Sequence, residues 1–183
     1  MKLLFDCLAS PIGDLLIVSD GTCVCGIEFG SELDHLIPHL RRRYGAFGWI
    51  QAADPVGATS CLRAYFAGEV HALDAVRVDC GGTPFQGRVW TALRQIPAGA
   101  TISYGELARR IGSPTAVRAV GLANGSNPVP VIVPCHRVIG AGGSLTGYGG
   151  GLDRKSWLLA HEGVLLRGLR VSENNAVRLA PKQ

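Results

Sequence analysis

A chain of 183 residues, 47% of them apolar, is long enough for one domain or two small ones with a packed core. No apolar run approaches the ~20 residues of a membrane-spanning helix, and the N-terminus opens on a strand-like pattern rather than a signal peptide, so a cytoplasmic protein with no membrane role is expected. The net charge of +4 conceals an asymmetry: residues 1–80 carry 6 Lys/Arg against 10 Asp/Glu, and residues 81–183 carry 12 against 4, with Arg making up 15 of the 18 basic residues. A basic C-terminal half suits a polyanion such as DNA, and a solvated Arg-rich surface accounts for it equally well.

In chain order, Lys2–Ala9, Asp14–Ser19 and Thr22–Phe29 read as strands. Pro11-Ile12-Gly13 and Asp20-Gly21 read as the turns of a small antiparallel meander. Leu33, Leu36, Leu40 and Tyr44 recur at helical spacing, and Pro38 predicts a break or kink there. Arg41-Arg42-Arg43 suits a solvated helix C-terminus. Thr59–Ala67 reads as a second helix ending at Gly68, and Ala75–Cys80 alternates as a strand does. Gly81-Gly82 is a natural joint. It divides the chain into an α/β domain (1–82), a second, mostly helical domain (83–168) and a tail (169–183). Cys7, Cys23 and Cys25 invite a zinc reading. One residue between two cysteines is tighter than the usual spacing and no histidine is near, so no metal is expected. In a strand, Cys23 and Cys25 would share the buried face. Reduced thiols are expected throughout.

The second half opens on Thr83-Pro84-Phe85-Gln86, the form of a capping box with proline at the first helical position. Phe85, Val89, Leu93 and Ile96 continue a helical stripe. Ser103-Tyr104-Gly105-Glu106 reads as a second capping box, its helix ending at Gly112. Ser113-Pro114 then opens a helix over Thr115–Asn124. Two short helices across a Gly-Ser-Pro turn have the helix-turn-helix layout, a pattern that many inert helix pairs share. The second helix carries small residues (Ala116, Ala119, Gly121, Ala123) beside Val117, with Arg118 as its only charge. Major-groove readers carry several polar side chains for base edges, and this helix carries almost none.

Residues 130–138, Pro-Val-Ile-Val-Pro-Cys-His-Arg-Val, set a thiol beside an imidazole after an apolar run, Val131–Val133, that reads as a short buried strand. An imidazole can take the proton of a cysteine nucleophile, and a buried cysteine beside an arbitrary histidine fits the dipeptide too. Further on, a helix over Arg154–Glu162 ends at Gly163 and leaves an acidic residue at the unfavourable, negative end of the helix dipole.

Five ordered segments carry a family resemblance: Ile102-Ser103-Tyr104, Arg118-Ala119-Val120-Gly121, Asn127-Pro128-Val129-Pro130, Pro134-Cys135-His136-Arg137-Val138 and Trp157 to Gly163. In these the chain resembles the O6-alkylguanine-DNA alkyltransferases, densely from about Thr83 to Gly163 and thinly before. The resemblance implies an α+β protein, with a ribonuclease-H-like α/β domain of no catalytic role followed by a winged-helix-like domain. It implies transfer of an alkyl group from O6-alkylguanine in flipped-out DNA to Cys135, once and irreversibly, without a cofactor. His136 and Glu162 would activate the thiol. Tyr104 would donate to the base and crowd its phosphate. Pro130 and Tyr148 would wall the pocket, the carbonyls of Cys135 and Val138 and the amide of Gly149 would meet the guanine, and Asn127 would hold the turn before the cysteine. Arg118 would enter the base stack from the minor groove, with Ala116, Val117, Gly121, Ser103 and Tyr104 along the duplex. A monomer bound without sequence preference is implied. A Cys-His-Glu hydrolase and a non-catalytic helix-turn-helix protein are the rival classes.

Overall fold

The computed structural model describes residues 1–30 and 33–165; the expected tail and the last residues of the expected second domain lie outside the described residues. Three strands, β1 (Lys2–Leu8), β2 (Leu15–Ser19) and β3 (Val24–Phe29), form the expected antiparallel meander. Its second turn is shaped by Asp20, whose carboxylate accepts from the amides of Thr22 and Cys23 at 2.9 Å each. That turn keeps Cys23 out of the strand and half-buried, whereas Cys25 inside it is fully buried; the two do not share a strand face. A fourth strand, β4 (Gly48–Gln51), pairs parallel with β1 to give the order β3-β2-β1-β4.

Helix α1 (Leu36–Tyr44) lies on the sheet, with Leu36 and Leu40 buried. Pro38 is its third residue. There the missing N–H has no intrahelical partner to lose, so no kink follows. The helix approaches so closely that a Cβ on Gly26 would meet Leu36 Cδ1 at 2.6 Å. Arg43, in the last turn of α1, bonds the carboxylate and carbonyl of Asp79. Helix α2 (Ala58–Phe66) follows, its Thr59 hydroxyl donating to Asp6 of β1 at 2.8 Å. The expected strand at Ala75–Cys80 reduces to one bridge, Val24 with Val78. Beyond Val24 the edge of β3 turns to the other half of the chain instead, and the Ile27 amide donates to Pro128 O at 2.8 Å.

In the second half, α3 (Pro84–Leu93) carries the full capping box between Thr83 and Gln86. Helix α4 (Tyr104–Arg110) has half of one. The Ser103 hydroxyl accepts from the Glu106 amide, but the Glu106 carboxylate turns to Arg109 and Arg110, at 2.6 and 3.1 Å. Helix α5 (Val117–Gly125) starts later than expected, because Ser113 to Ala116 forms a turn closed by Ala116 N–H to Ser113 O at 2.9 Å. A short parallel pair, β5 (Ile102–Ser103) with β6 (Val138–Ile139), ties the start of α4 to the segment after Cys135. Helix α6 (Leu152–His161) ends before Gly163, which adopts φ +84°. One buried cluster joins both halves: Ile17, Ile27, Leu62 and Tyr65 pack with Val89, Leu93, Val133 and Leu158.

Candidate active site and DNA-facing helix

The segment before Cys135 is a turn rather than the expected strand. Val131 takes φ +73°, which a β-branched residue rarely adopts, and only Pro130 and Val133 form a bridge. Asn127 secures this geometry: its amide donates to Val133 O at 2.8 Å and its oxygen accepts from the Val129 amide at 3.0 Å. Cys135, His136 and Arg137 then form a single 3₁₀ turn, buried throughout.

His136 and Glu162 meet, Nε2 to Oε1 at 3.0 Å, with both side chains completely out of solvent. Since the carboxylate can only accept, Nε2 carries the proton and Nδ1 is the free lone pair. Nδ1 is buried and has no partner among the described residues. Arg137 grips the same carboxylate with two bonds, Nε to Oε2 at 2.9 Å and Nη2 to Oε1 at 2.8 Å. Glu162 is thus held by His136 and Arg137 together. Burial would raise the Glu162 carboxyl, but the bonds from His136 and Arg137 overcome this and hold it well below the usual carboxylate range. Burial pulls His136 down, against the pull of Glu162, so its resting form is neutral. The Cys135 thiol is pushed up by burial, with Asn127 and Lys155 acting the other way. The resting form of the thiol is therefore S–H.

Cys135, Pro130, Asn127, Tyr148 and Gly149 line one cavity of about 310 Å³, as expected of a pocket. Its other wall is Ile27, Glu28 and Phe29 of β3 with His35, His39 and Arg42 of the α1 region. Gly150 lets Phe29 and Tyr148 close on each other, since a Cβ there would meet both rings at 2.7 and 2.8 Å. Four buried side-chain polar atoms lack partners among the described residues: His39 Nε2, Asn124 Oδ1, Tyr148 Oη and His136 Nδ1. The first three belong to residues lining this cavity and the fourth adjoins Cys135.

Val138 does not line the cavity. It is fully buried in β6, and its carbonyl already accepts from Lys155 Nζ at 2.6 Å. Tyr104 also stands outside the lining, its hydroxyl 3.3 and 3.4 Å from the carbonyls of Thr146 and Gly147 in the loop that carries Tyr148. Ser103 caps α4. Ala116 and Gly121 are half-buried, while Val117 and Arg118 are exposed on α5. Arg118 has no hydrogen bond or ion pair among the described residues.

Three residues of the site escaped the sequence reading. Lys155 is fully buried, bonds Val138 O and Thr146 O, and is lowered by burial to about 8. Its signal was its place three and four residues before Leu158 and Leu159, on the buried face of α6. Arg137 stands inside the cysteine motif, but its sequence position alone gave it no role. Tyr65 of α2, which donates to Glu162 Oε1 at 2.8 Å, left no signal at all. No group of three or more His, Cys, Asp and Glu side chains is gathered to hold a metal among the described residues.

Residues 84–164 match the family model described as 6-O-methylguanine DNA methyltransferase, DNA binding domain. The solved structure of Mycobacterium tuberculosis OGT in complex with DNA superimposes with a TM-score of 0.73 at 44% identity, covering 88% of this chain and 92% of that one. A methylated-DNA–protein-cysteine methyltransferase of Mycobacterium bovis is 50% identical over 154 residues, 84% of this chain and 88% of the relative. That of Shigella flexneri is 45% identical over 169 residues, 91% of this chain and 99% of the relative. With likeness of this degree over nearly the whole of both sequences, the chain belongs to the methylated-DNA–protein-cysteine methyltransferase family.

Proposed function

We propose that this protein repairs alkylated DNA by moving the alkyl group from guanine O6 to Cys135, in one irreversible turnover. The observation that carries the reading is Cys135 in the wall of a cavity of about 310 Å³, next in sequence to a histidine fixed by the buried Glu162 carboxylate. A purine brings donors and acceptors to such a site, and it reaches the site only by leaving the base stack.

The proposed steps begin at the thiol. Glu162 and Arg137 fix the imidazole, and Nδ1 takes the Cys135 proton through one water. The sulfur attacks the alkyl carbon in line with the O6–carbon bond. The S–C bond forms as the C–O bond breaks, and the electron pair stays on the guanine. The Gly149 amide donates to O6 as charge develops there, and the freed guanine takes up a proton. Pro130 and Tyr148 hold the base, and Asn127 keeps the turn in place. The Cys135 carbonyl accepts from the exocyclic amine. Tyr104 serves the site by bracing the Thr146–Gly147 loop and by donating to the base once it enters. A thioether is inert to water, so no second turnover follows.

The DNA-bound relative supports DNA as the partner. We read α4 and α5 as the helix-turn-helix, with α5 in the minor groove and Arg118 entering the stack in place of the flipped base. Ala116, Val117 and Gly121 let the helix approach closely, and Ser103 and Tyr104 flank it; none supplies base readout, so binding is indifferent to sequence. The finer description is a monomer in the cytoplasm, with a ribonuclease-H-like N-terminal domain to Gly82 and a winged-helix-like domain after it. Among the described residues no helix is long and apolar enough to cross a membrane.

Incubation with an O6-methylguanine oligonucleotide is expected to leave one methyl on the peptide containing Cys135, and none on a Cys135→Ser variant. Methyl mapped to Cys7, Cys23 or Cys61 overturns the assignment. Release of product beyond one equivalent favours a turnover hydrolase.

A further inference from the structure

The transfer mechanism needs Glu162 but not the donor that reaches it from the far half of the chain. Tyr65, in the last turn of α2, is separated from Glu162 by 97 residues, and both side chains are completely buried. Its hydroxyl donates to Oε1, the oxygen that also accepts from His136 and Arg137. Packing alone does not call for the hydroxyl, because phenylalanine would fill the same space without a polar group to satisfy. The ring is held independently of its hydroxyl. It lies edge-on to Phe66 and His161, with centroids 5.3 and 5.1 Å away, and the Tyr65 carbonyl accepts from His161 Nε2 at 2.7 Å. Among the described residues, the carboxylate is the hydroxyl's one partner.

We propose that Tyr65 is a positioning residue for alkyl transfer, acting through Glu162 to keep His136 neutral and aimed at Cys135. The proposal rests on the reading of Glu162 as part of the relay. A carboxylate that spreads its charge over four hydrogen bonds is a weaker base than one that makes three. It orients Nε2–H without drawing a second proton onto the ring. Without the phenol, Oε1 bonds His136 more strongly, the imidazole binds protons more tightly, and less of it can accept from Cys135. The groups that bear on this balance are Arg137 and Cys135 from the turn, Lys155 and His161 from α6, and Tyr65 itself from α2. Thus the N-terminal half, expected to have no catalytic role, supplies one bond to the relay.

The test is the single-turnover rate on a methylated oligonucleotide between pH 5.5 and 9, for the full chain and its variants. Tyr65→Phe is expected to slow transfer near neutrality by on the order of tenfold, the cost of one hydrogen bond to a charged group. It also moves the acid limb of the profile to higher pH and leaves affinity for undamaged DNA unchanged. Phe66→Leu loosens the same α2–α6 packing without touching the carboxylate, so it lowers thermal stability and leaves the limb in place. With 3-fluorotyrosine at position 65, a stronger donor in the same fold, the limb moves to lower pH. A folded Tyr65→Phe protein with the wild-type rate and limb overturns the proposal, as does an equal shift from Phe66→Leu. If Tyr65→Phe does not fold, the fluorotyrosine protein decides, and an unmoved limb overturns it. Glu162→Gln separates the two levels. A Gln variant as fast as wild type sinks the relay itself; a slow one beside a normal Tyr65→Phe sinks the role of Tyr65 alone.

Discussion

The buried relay and the outward helix α5 follow opposite rules. Around Glu162 both carboxylate oxygens are committed, to His136, Arg137 and Tyr65, with no solvent access. On α5, Arg118 has no partner among the described residues, Leu122 is 77% exposed, and no side chain caps the first turn. The neighbouring helices α3 and α4 are both capped, by Thr83 and Ser103. Groups whose partners lie within the chain are satisfied in advance, because an unmade bond in the interior is costly. Arg118, whose partner would arrive with the ligand, is left in water, where waiting costs little. The relay should therefore answer to substitution through stability and pH, and α5 through DNA alone.

The largest effect expected on that contrast comes from Arg137→Ala. It leaves the Glu162 carboxylate buried with a neutral histidine and a phenol as its remaining donors. Removing one partner of a buried ion pair costs about 3–5 kcal/mol. Chemical denaturation should show a loss of that size with an unchanged slope. A loss under 1 kcal/mol would mean that the carboxylate finds water or protonates at little cost, and the relay would not be the closed unit described.

Lys155 gives the next largest effect and a defined sign. Burial lowers it from the 10.5 of an exposed lysine to about 8. Between those values the unfolded chain binds more protons than the folded one, so this group's contribution to stability rises with pH through that window. Below pH 8 the full penalty is present, roughly 3 kcal/mol. The thiols of Cys25 and Cys80, pushed up by burial to about 11 and about 12, act in the opposite sense above pH 9. Lys155→Met isolates the term. The stability of wild type relative to this variant should climb between pH 8 and 10.5; a flat difference would show that the ammonium stays charged within the fold.

What could be read from sequence, and what could not, divides along the same line. The meander, the Thr83 cap and the meeting of Glu162 with His136 were legible, because each depends on neighbours in sequence, on a residue set against its local preference or on the family resemblance. Strand β4 was not: its four residues are all exposed, so no alternation marks it, and its pairing with β1 is a tertiary fact. Ala75–Cys80 has the alternation but meets the sheet at Val24 alone, since Pro128 takes the next available donor of that edge. Val131–Val133 has the apolar run of a strand, yet Asn127 folds it into a turn. Tyr65 acquires its partner by packing across the core, which no local pattern encodes, whereas the helical spacing of Lys155 with Leu158 and Leu159 marks its burial but not its partners.

Arg118→Ala should have the smallest effect on the fold and a selective one on function. The side chain is exposed and unpartnered, so stability is expected to stay within about 0.5 kcal/mol of wild type. Repair of duplex DNA should slow on the order of tenfold, since unstacking a base costs a few kcal/mol and the arginine offsets part of that by filling the gap. Reaction with the free O6-methylguanine base, which needs no flipping, should keep its rate. Salt adds a second readout, because each phosphate neutralised contributes about −0.9 to the slope of log affinity against log salt. An arginine seated in the stack contributes little to that slope, and one seated on a phosphate contributes a full unit. If Arg118→Ala flattens the salt dependence by a unit and slows both substrates equally, the side chain is a surface contact and the finger reading is wrong.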